Sequence, residues 1–292
     1  MSSAIPYLPT ALGASKATLL LGNNPSSGPF AWYLPQCNVT SNPYGGTTGT
    51  YGLASCIALQ YGAVSVVTWF YLPPGGYGVI IGNNGGASYP NSPNGWVPII
   101  YVGTNGLLYI AEWSSSSGCG WITAPISPGW HMVVWAEGNI SSSSATIYGY
   151  LDGKFIGSFT ENGLTYTVGG YSPPPAYWYF GNGYTGGCWC GGNVLNCSYN
   201  FFNGAIALVA LYNRVLTTGD VLAIYQGNLV TSGLVAVWYG DDYNSGNGYW
   251  ISRVGGYTGA PVTSSYPPRG CILWNSALYS GPTGIWSNWQ QC

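Results

Sequence analysis

Ala145-Thr-Ile-Tyr-Gly-Tyr-Leu-Asp-Gly-Lys-Phe-Ile-Gly-Ser-Phe-Thr160 places two apolar, aromatic and β-branched runs on either side of Asp152-Gly153. A two-residue turn of type I′ needs positive φ at both central positions, and Asp-Gly meets that need at little steric cost. The stretch therefore reads as a β-hairpin. Side chains alternate across a strand, so Ile147, Gly149 and Leu151 share one face, and Phe155, Gly157 and Phe159 share a face of the return strand. Lys154 sits at the tip, in solvent.

Strand-like runs extend from this hairpin in both directions. Upstream, residues 63–72 form a strand-length apolar run stopped by Pro73-Pro74-Gly75-Gly76. Runs at 79–81, 97–102, 106–112 and 130–135 follow, separated by Ser, Gly and Pro clusters. Downstream, 202–212 and 233–239 read as strands. Between them Thr217 and Asp220 have the spacing of a capping box, with Asp in place of Glu or Gln, which predicts one short helix near 217–227. No other helix is announced. The expected fold is all-β, an antiparallel sandwich over 56–240. Residues 1–55 read as an arm with short strands. Residues 241–292 read as a C-terminal extension that either closes the same sandwich or packs on it.

Composition narrows the setting. The chain has 292 residues with five Lys or Arg, seven Asp or Glu and one His, so about 4 % of it is charged where soluble domains average about 25 %. Its polar surface must be built from Ser, Thr, Asn, Gly and Tyr, and acidification removes little charge-linked stability. The cations Lys16, Lys154, Arg214, Arg253 and Arg269 are scattered along the chain, which argues against nucleic acid as a partner. No apolar run approaches the length of a transmembrane helix, and Met1-Ser-Ser-Ala-Ile-Pro lacks the basic start of a secretory signal.

The eight cysteines, Cys37, Cys56, Cys119, Cys188, Cys190, Cys197, Cys271 and Cys292, suit a disulfide framework. Proximity suggests Cys37 with Cys56 and Cys271 with Cys292. A metal site is the rival reading, although Cys188-Trp-Cys190 departs from zinc-knuckle spacing and His131 is the sole histidine. N-glycosylation sequons stand at Asn38, Asn139 and Asn196. Cysteines and sequons together point to an extracellular or particle surface.

Three segments in order carry a family resemblance: Gly129-Trp-His-Met-Val-Val-Trp, then Ile147-Tyr-Gly-Tyr-Leu-Asp-Gly-Lys, then Phe202-Asn-Gly-Ala-Ile-Ala-Leu-Val-Ala-Leu-Tyr-Asn-Arg-Val-Leu-Thr. Over residues 58–240 the chain resembles the concanavalin A-like, laminin-G-like jelly rolls. The resemblance implies a two-sheet jelly roll, a mostly structural role for His131, and membership among carbohydrate-binding modules, glycan-cleaving enzymes or adhesive domains, often with calcium at the rim. The composition is similar to that of surface proteins from hyperthermophilic, acid-living archaea and their viruses.

Each functional class has its own chemical requirement. Glycoside hydrolysis needs two carboxyl groups flanking the scissile bond. Glu112 and Glu137 are the only glutamates on the strands read from the sequence, and the Glu-x-Asp-x-x-Glu pattern of the family's enzymes is missing. Calcium needs several oxygen ligands, and Asp241, Asp242 and Asn244 are the candidates. No other cofactor is expected. Sugar recognition needs aromatic faces beside hydrogen-bonding side chains, for which Tyr177, Tyr179, Asn182, Tyr184 and Trp189 are the candidate residues. The alternative places Trp178 and Phe180 in the core, with Tyr177 and Tyr179 outside.

The leading expectation is a non-enzymatic virion or cell-surface structural protein whose lectin-like domain attaches to glycans or a host surface and associates with itself or with other virion or envelope subunits. The second is a coat or filament subunit assembling by strand exchange. A glycoside hydrolase comes last.

Overall fold

The computed structural model describes residues 16–21, 32–44, 48–84, 96–114, 118–162, 177–184, 194–195, 199–239, 243–244, 249–261, 271–273 and 290–291. In chain order these form β1 (Lys16–Leu21), β2 (Trp32–Tyr33), β3 (Gln36–Val39), β4 (Gly49–Gly52), α1 (Leu53–Tyr61), β5 (Val64–Leu72), β6 (Gly78–Asn84) and β7 (Trp96–Val102). Next come β8 (Leu107–Ser114), β9 (Gly118–Pro125), β10 (Gly129–Gly138), β11 (Ser144–Leu151), β12 (Lys154–Asn162), β13 (Tyr177–Phe180), β14 (Asn182–Tyr184) and β15 (Tyr199–Phe201). The last elements are β16 (Asn203–Tyr212), α2 (Thr218–Tyr225), β17 (Leu234–Tyr239), β18 (Tyr243–Asn244), β19 (Tyr249–Ile251), β20 (Thr258–Pro261), β21 (Cys271–Leu273) and β22 (Gln290–Gln291).

Two large sheets and one hairpin account for these strands. The first sheet runs β12-β11-β10-β5-β16-β1-β21-β22, with β17 also paired to β16. The second runs β18-β19-β20-β2-β13-β6-β7-β8-β9, with β14 and β15 attached through β6, and β3-β4 stand as a separate hairpin. Among the described residues every pairing is antiparallel except Phe201 of β15 against Val79 of β6. The fold is the expected all-β antiparallel sandwich. The position between residues 55 and 56 falls inside α1, and β1 pairs with both β16 and β21, so strands from the beginning, middle and end of the sequence share one sheet.

The core explains why some strands alternate and others do not. Strand β5 is buried at all nine positions. Val66 and Phe70 face the layer between the sheets, with Trp135 of β10 and Ile100 and Ile110 of the opposite sheet. Val67, Trp69 and Tyr71 face outward, where Leu216 and the α2 residues Val221 and Ile224 cover them. A strand covered on both faces needs apolar residues at every position, as parallel-sheet strands do for the same reason. That requirement accounts for the apolar seven of Val-Ser-Val-Val-Thr-Trp-Phe-Tyr-Leu, while buried Ser65 donates to the Arg214 carbonyl and accepts from the Leu216 N–H.

The opening hairpin forms, and its turn is tied to the rest of the sheet. Asp152 and Gly153 have φ of 50° and 78°. Asp152 accepts a hydrogen bond from the Met132 N–H at Oδ1 (2.9 Å), and its Oδ2 meets His131 Nδ1 at 2.8 Å. The Asp152 N–H donates to the Met132 carbonyl at 2.8 Å, and Gly153 lies against the Tyr225 ring of α2. One expectation fails here. A bulge beside Gly149 puts Phe155 opposite Tyr150, and an extra residue shifts the alternation of the bulged strand. Phe155 therefore projects outward against Tyr150 (ring centroids 5.4 Å apart) while Phe159 packs on the core.

The helix at 217–227 forms as Thr218–Tyr225 with both halves of its capping box in place. A second helix, α1, corrects the expectation of only one. Its N-cap is Gly52, which offers no side-chain cap, and Leu53, Ala54, Ser55, Ile57, Ala58 and Leu59 are all buried. A helix apolar nearly all round shows no amphipathic period, so its sequence hides it. Among the described residues no helix is long and apolar enough to cross a membrane.

Candidate functional site

The residues expected to bind sugar divide into buried and undescribed. Tyr179 is 6 % exposed and Asn182 3 %; β13 is paired on both edges, with β2 and β6, and β14 pairs with β15. Trp178 and Phe180 are in the core as the alternative reading had it, but Tyr179 is buried with them rather than outside. Tyr177 and Tyr184 lie on β13 and β14, and Trp189 falls outside the described residues. Within this strip the buried side chains are Trp178, Tyr179, Phe180 and Asn182.

The acidic candidates are no closer to an open cleft. Glu112 on β8 and Glu137 on β10 are each 1 % exposed; Glu137 shares its strand face with Val133 and Trp135 of the inter-sheet core. His131 is held between Asp152 and the Ser127 carbonyl, which its Nε2 meets at 2.7 Å. Asp241 and Asp242 lie outside the described residues, and Asn244 is on β18. Among the described residues no group of three or more His, Cys, Asp or Glu side chains could hold a metal ion.

Two cysteines build a site instead. Cys37 on β3 and Cys56 on α1 form a disulfide with their Cα atoms 6.5 Å apart, the pairing that proximity suggested. Cys119 is also disulfide-bonded. Cys271 opens β21 opposite Thr18, and Cys188, Cys190, Cys197 and Cys292 lie outside the described residues. Of the sequons, Asn38 is exposed on β3, Asn139 is exposed with its amide donating to the Tyr148 hydroxyl at 2.9 Å, and Asn196 lies outside the described residues.

The Cys37–Cys56 bond lines a cleft of about 580 Å³ between the β3–β4 hairpin, α1 and residues of the C-terminal region. Strand alternation shapes one wall: Gln36 and Asn38 project into solvent while Cys37 and Val39 turn toward the core. The register Cys37↔Tyr51 and Asn38↔Thr50 holds β3 against β4. The Leu53 N–H donates to the Pro35 carbonyl at 2.9 Å, starting α1 directly from the hairpin. On α1, Cys56 and Gln60 are one turn apart and line the second wall. Tyr61, 52 % exposed, ends the helix, and Gly62 stops it in a left-handed conformation with its N–H on the Ala58 carbonyl at 2.8 Å. Val235 and Tyr257 complete the lining.

This cleft has a definite chemistry. Gln36, Asn38, Thr40, Ser41 and Gln60 bring amides and hydroxyls, Tyr61 and Tyr257 bring rings, and among the described residues no Asp, Glu, Lys, Arg or His lines it. Amides and hydroxyls together both donate and accept hydrogen bonds. The volume lies within the range of about 300–1,000 Å³ usual for small-molecule sites. Sequence reading missed the cleft because its polar residues come from an unannounced helix and a short strand. The pairing of Cys37 with Cys56 was the one signal that could have joined them.

No protein-family model matches the chain, and comparison with curated proteins returns no match. Among solved structures, it is similar to the native heptameric SAP-like pentraxin from Limulus polyphemus, with 14 % identity and a TM-score of 0.42 over 74 % of this chain and 83 % of that one. It is similar to a Bacteroides ovatus protein described as a candidate carbohydrate-binding protein, with 13 % identity and a TM-score of 0.43 over 84 % of this chain and 58 % of that one. It is also similar to the binding domain of botulinum neurotoxin DC, solved in complex with rat synaptotagmin II, with 15 % identity and a TM-score of 0.36. That match covers 73 % of this chain and 52 % of the other, so the chain spans little more than half the length of the last two. At these identities no residue correspondence transfers, and the cleft's chemistry rests on this chain's own side chains.

Proposed function

We propose that the chain is a non-catalytic glycan-binding protein displayed on a virion or cell surface. One observation carries this reading: an open, disulfide-braced cleft combines an exposed tyrosine with amide and hydroxyl side chains. Sugars present apolar ring faces and a fringe of hydroxyls, and this set of groups meets both. The burial of Glu112 and Glu137 supports binding over hydrolysis, which needs a carboxyl pair flanking an accessible glycosidic bond. The disulfides support a place outside the reducing cytosol. Calcium enters the reading only through Asp241, Asp242 and Asn244, and the cleft does not call on it.

The test is a glycan array probed with the intact protein, followed by a reducing-end assay on each glycan that binds. Retention of specific glycans without release of new reducing ends is the expected result. An array without hits sinks the binding reading, and product formation lost in Glu112→Gln or Glu137→Gln moves the protein to the hydrolases.

A further inference from the structure

The geometry points to an uncharged oligosaccharide as the ligand of the cleft between the β3–β4 hairpin and α1, with Tyr61 as its stacking face. This rests on the glycan-binding reading and gives it a ligand class and an address. The ligand class follows from the lining. A sialic acid, a uronic acid or a sulfate brings an anion whose desolvation must be offset by a cation or by several converging donors. Among the described residues no Lys, Arg or His lines this cleft. The described cations have other places: Lys16 opens β1 opposite Leu273, Arg214 is engaged with Asp220 at 2.7 Å, Arg253 lies 4.1 Å from the centre of the Tyr239 ring, and Lys154 stands at the tip of the β11–β12 hairpin. A cationic amino sugar would equally lack a carboxylate to meet it.

The address follows from what is exposed and what is fixed. Tyr61 presents more than half of its surface beside Gln60, so one sugar face can lie on the ring while an amide reaches the ring's hydroxyls. Both residues sit at the end of a helix whose opposite side is buried, and the disulfide ties that helix to β3. The two walls are thereby set before the ligand arrives, which lowers the ordering cost of binding.

Isothermal titration calorimetry would compare neutral gluco-, manno- and chito-oligosaccharides with sialylated, sulfated and uronic-acid oligosaccharides of matched length. Each titration would be run at about 50 and about 500 mM NaCl, since screening weakens charge-driven contacts only. The expected result is binding of a neutral member with an affinity unchanged by salt. It should be about tenfold weaker in Tyr61→Ala, weakened in Gln60→Ala and retained in Tyr61→Phe. Both positions are exposed, and an unchanged melting temperature would show that the variants fold. Binding confined to anionic members, or neutral binding indifferent to both alanine variants, overturns this ligand class or this address while leaving the glycan-binding reading intact. Absence of binding to every member overturns both.

Discussion

Asp152 does more than make a turn. Its left-handed φ suits the hairpin, and its carboxylate receives the Met132 N–H and meets His131, so the residue that reverses one strand also fixes its neighbour. Asp152→Ala should destabilise the protein by about 1–3 kcal/mol, the range for a lost hydrogen bond to a charged group that leaves a buried partner unsatisfied. Asp152→Asn should lose less, because it keeps an acceptor for Met132 and tolerates positive φ. Urea titration of the three proteins at pH 7 checks the order. Asp-Gly was legible as a turn because local φ preferences reside in the residues themselves. The bond to His131, 21 positions away, was not, because it depends on how β10 pairs with β11.

Helix α1 and its disulfide carry the cleft. Removing the bond with the double change Cys37→Ser and Cys56→Ser releases a loop of 19 residues and should cost about 2–4 kcal/mol. A double variant is preferable to chemical reduction, which would also open the bond at Cys119. Thermal melts report the stability loss. A fall in oligosaccharide affinity at temperatures where the variant stays folded would show that the bond also orders the walls. Strands β5, β10, β11, β16 and β17 were legible because their apolar runs exceed anything a loop needs. Helix α1 was concealed for the opposite reason: burial on nearly every side erased its period, and a glycine cap supplied no boundary residue. Gly120 shows a similar limit. A methyl there would strike the Phe159 ring and the Glu161 carboxylate, so its lack of a side chain lets β9 approach β12, a contact between sheets that no local pattern announces.

With so few charges, the whole molecule's response to pH should be set by a small number of pairs. Asp220 accepts from Arg214 at 2.7 Å and from the Thr217 hydroxyl at 2.7 Å and N–H at 2.9 Å. The Arg214 hydrogen bond leads the causes that hold its carboxyl well below the usual carboxylate range, partly opposed by burial. A depressed folded value means that the stabilisation is present above the unfolded carboxylate pKa of about 3.9 and is lost as pH falls below it toward the folded value. The contribution of this pair should therefore be constant from neutrality down to about pH 4 and decline beneath that. In Asp220→Asn the plateau should sit lower and the acid decline should shrink, as denaturant midpoints measured from pH 7 to pH 2 would show. Fold class was legible at this level because periodicity and turns repeat along the chain. The cleft was not, since hairpin, helix and C-terminal residues meet only after the sheets have formed.

The pairing of Lys16–Leu21 with both Asn203–Tyr212 and Cys271–Leu273 has a kinetic consequence. Strand β1 leaves the ribosome well before β16 and β21 and must wait for the later of the two before both of its edges are satisfied. Such long-range closure slows folding, and in the interval β1 presents an unpaired edge to any neighbouring chain. Recovery of the protein in soluble form should accordingly be governed by chain concentration during synthesis as much as by final stability.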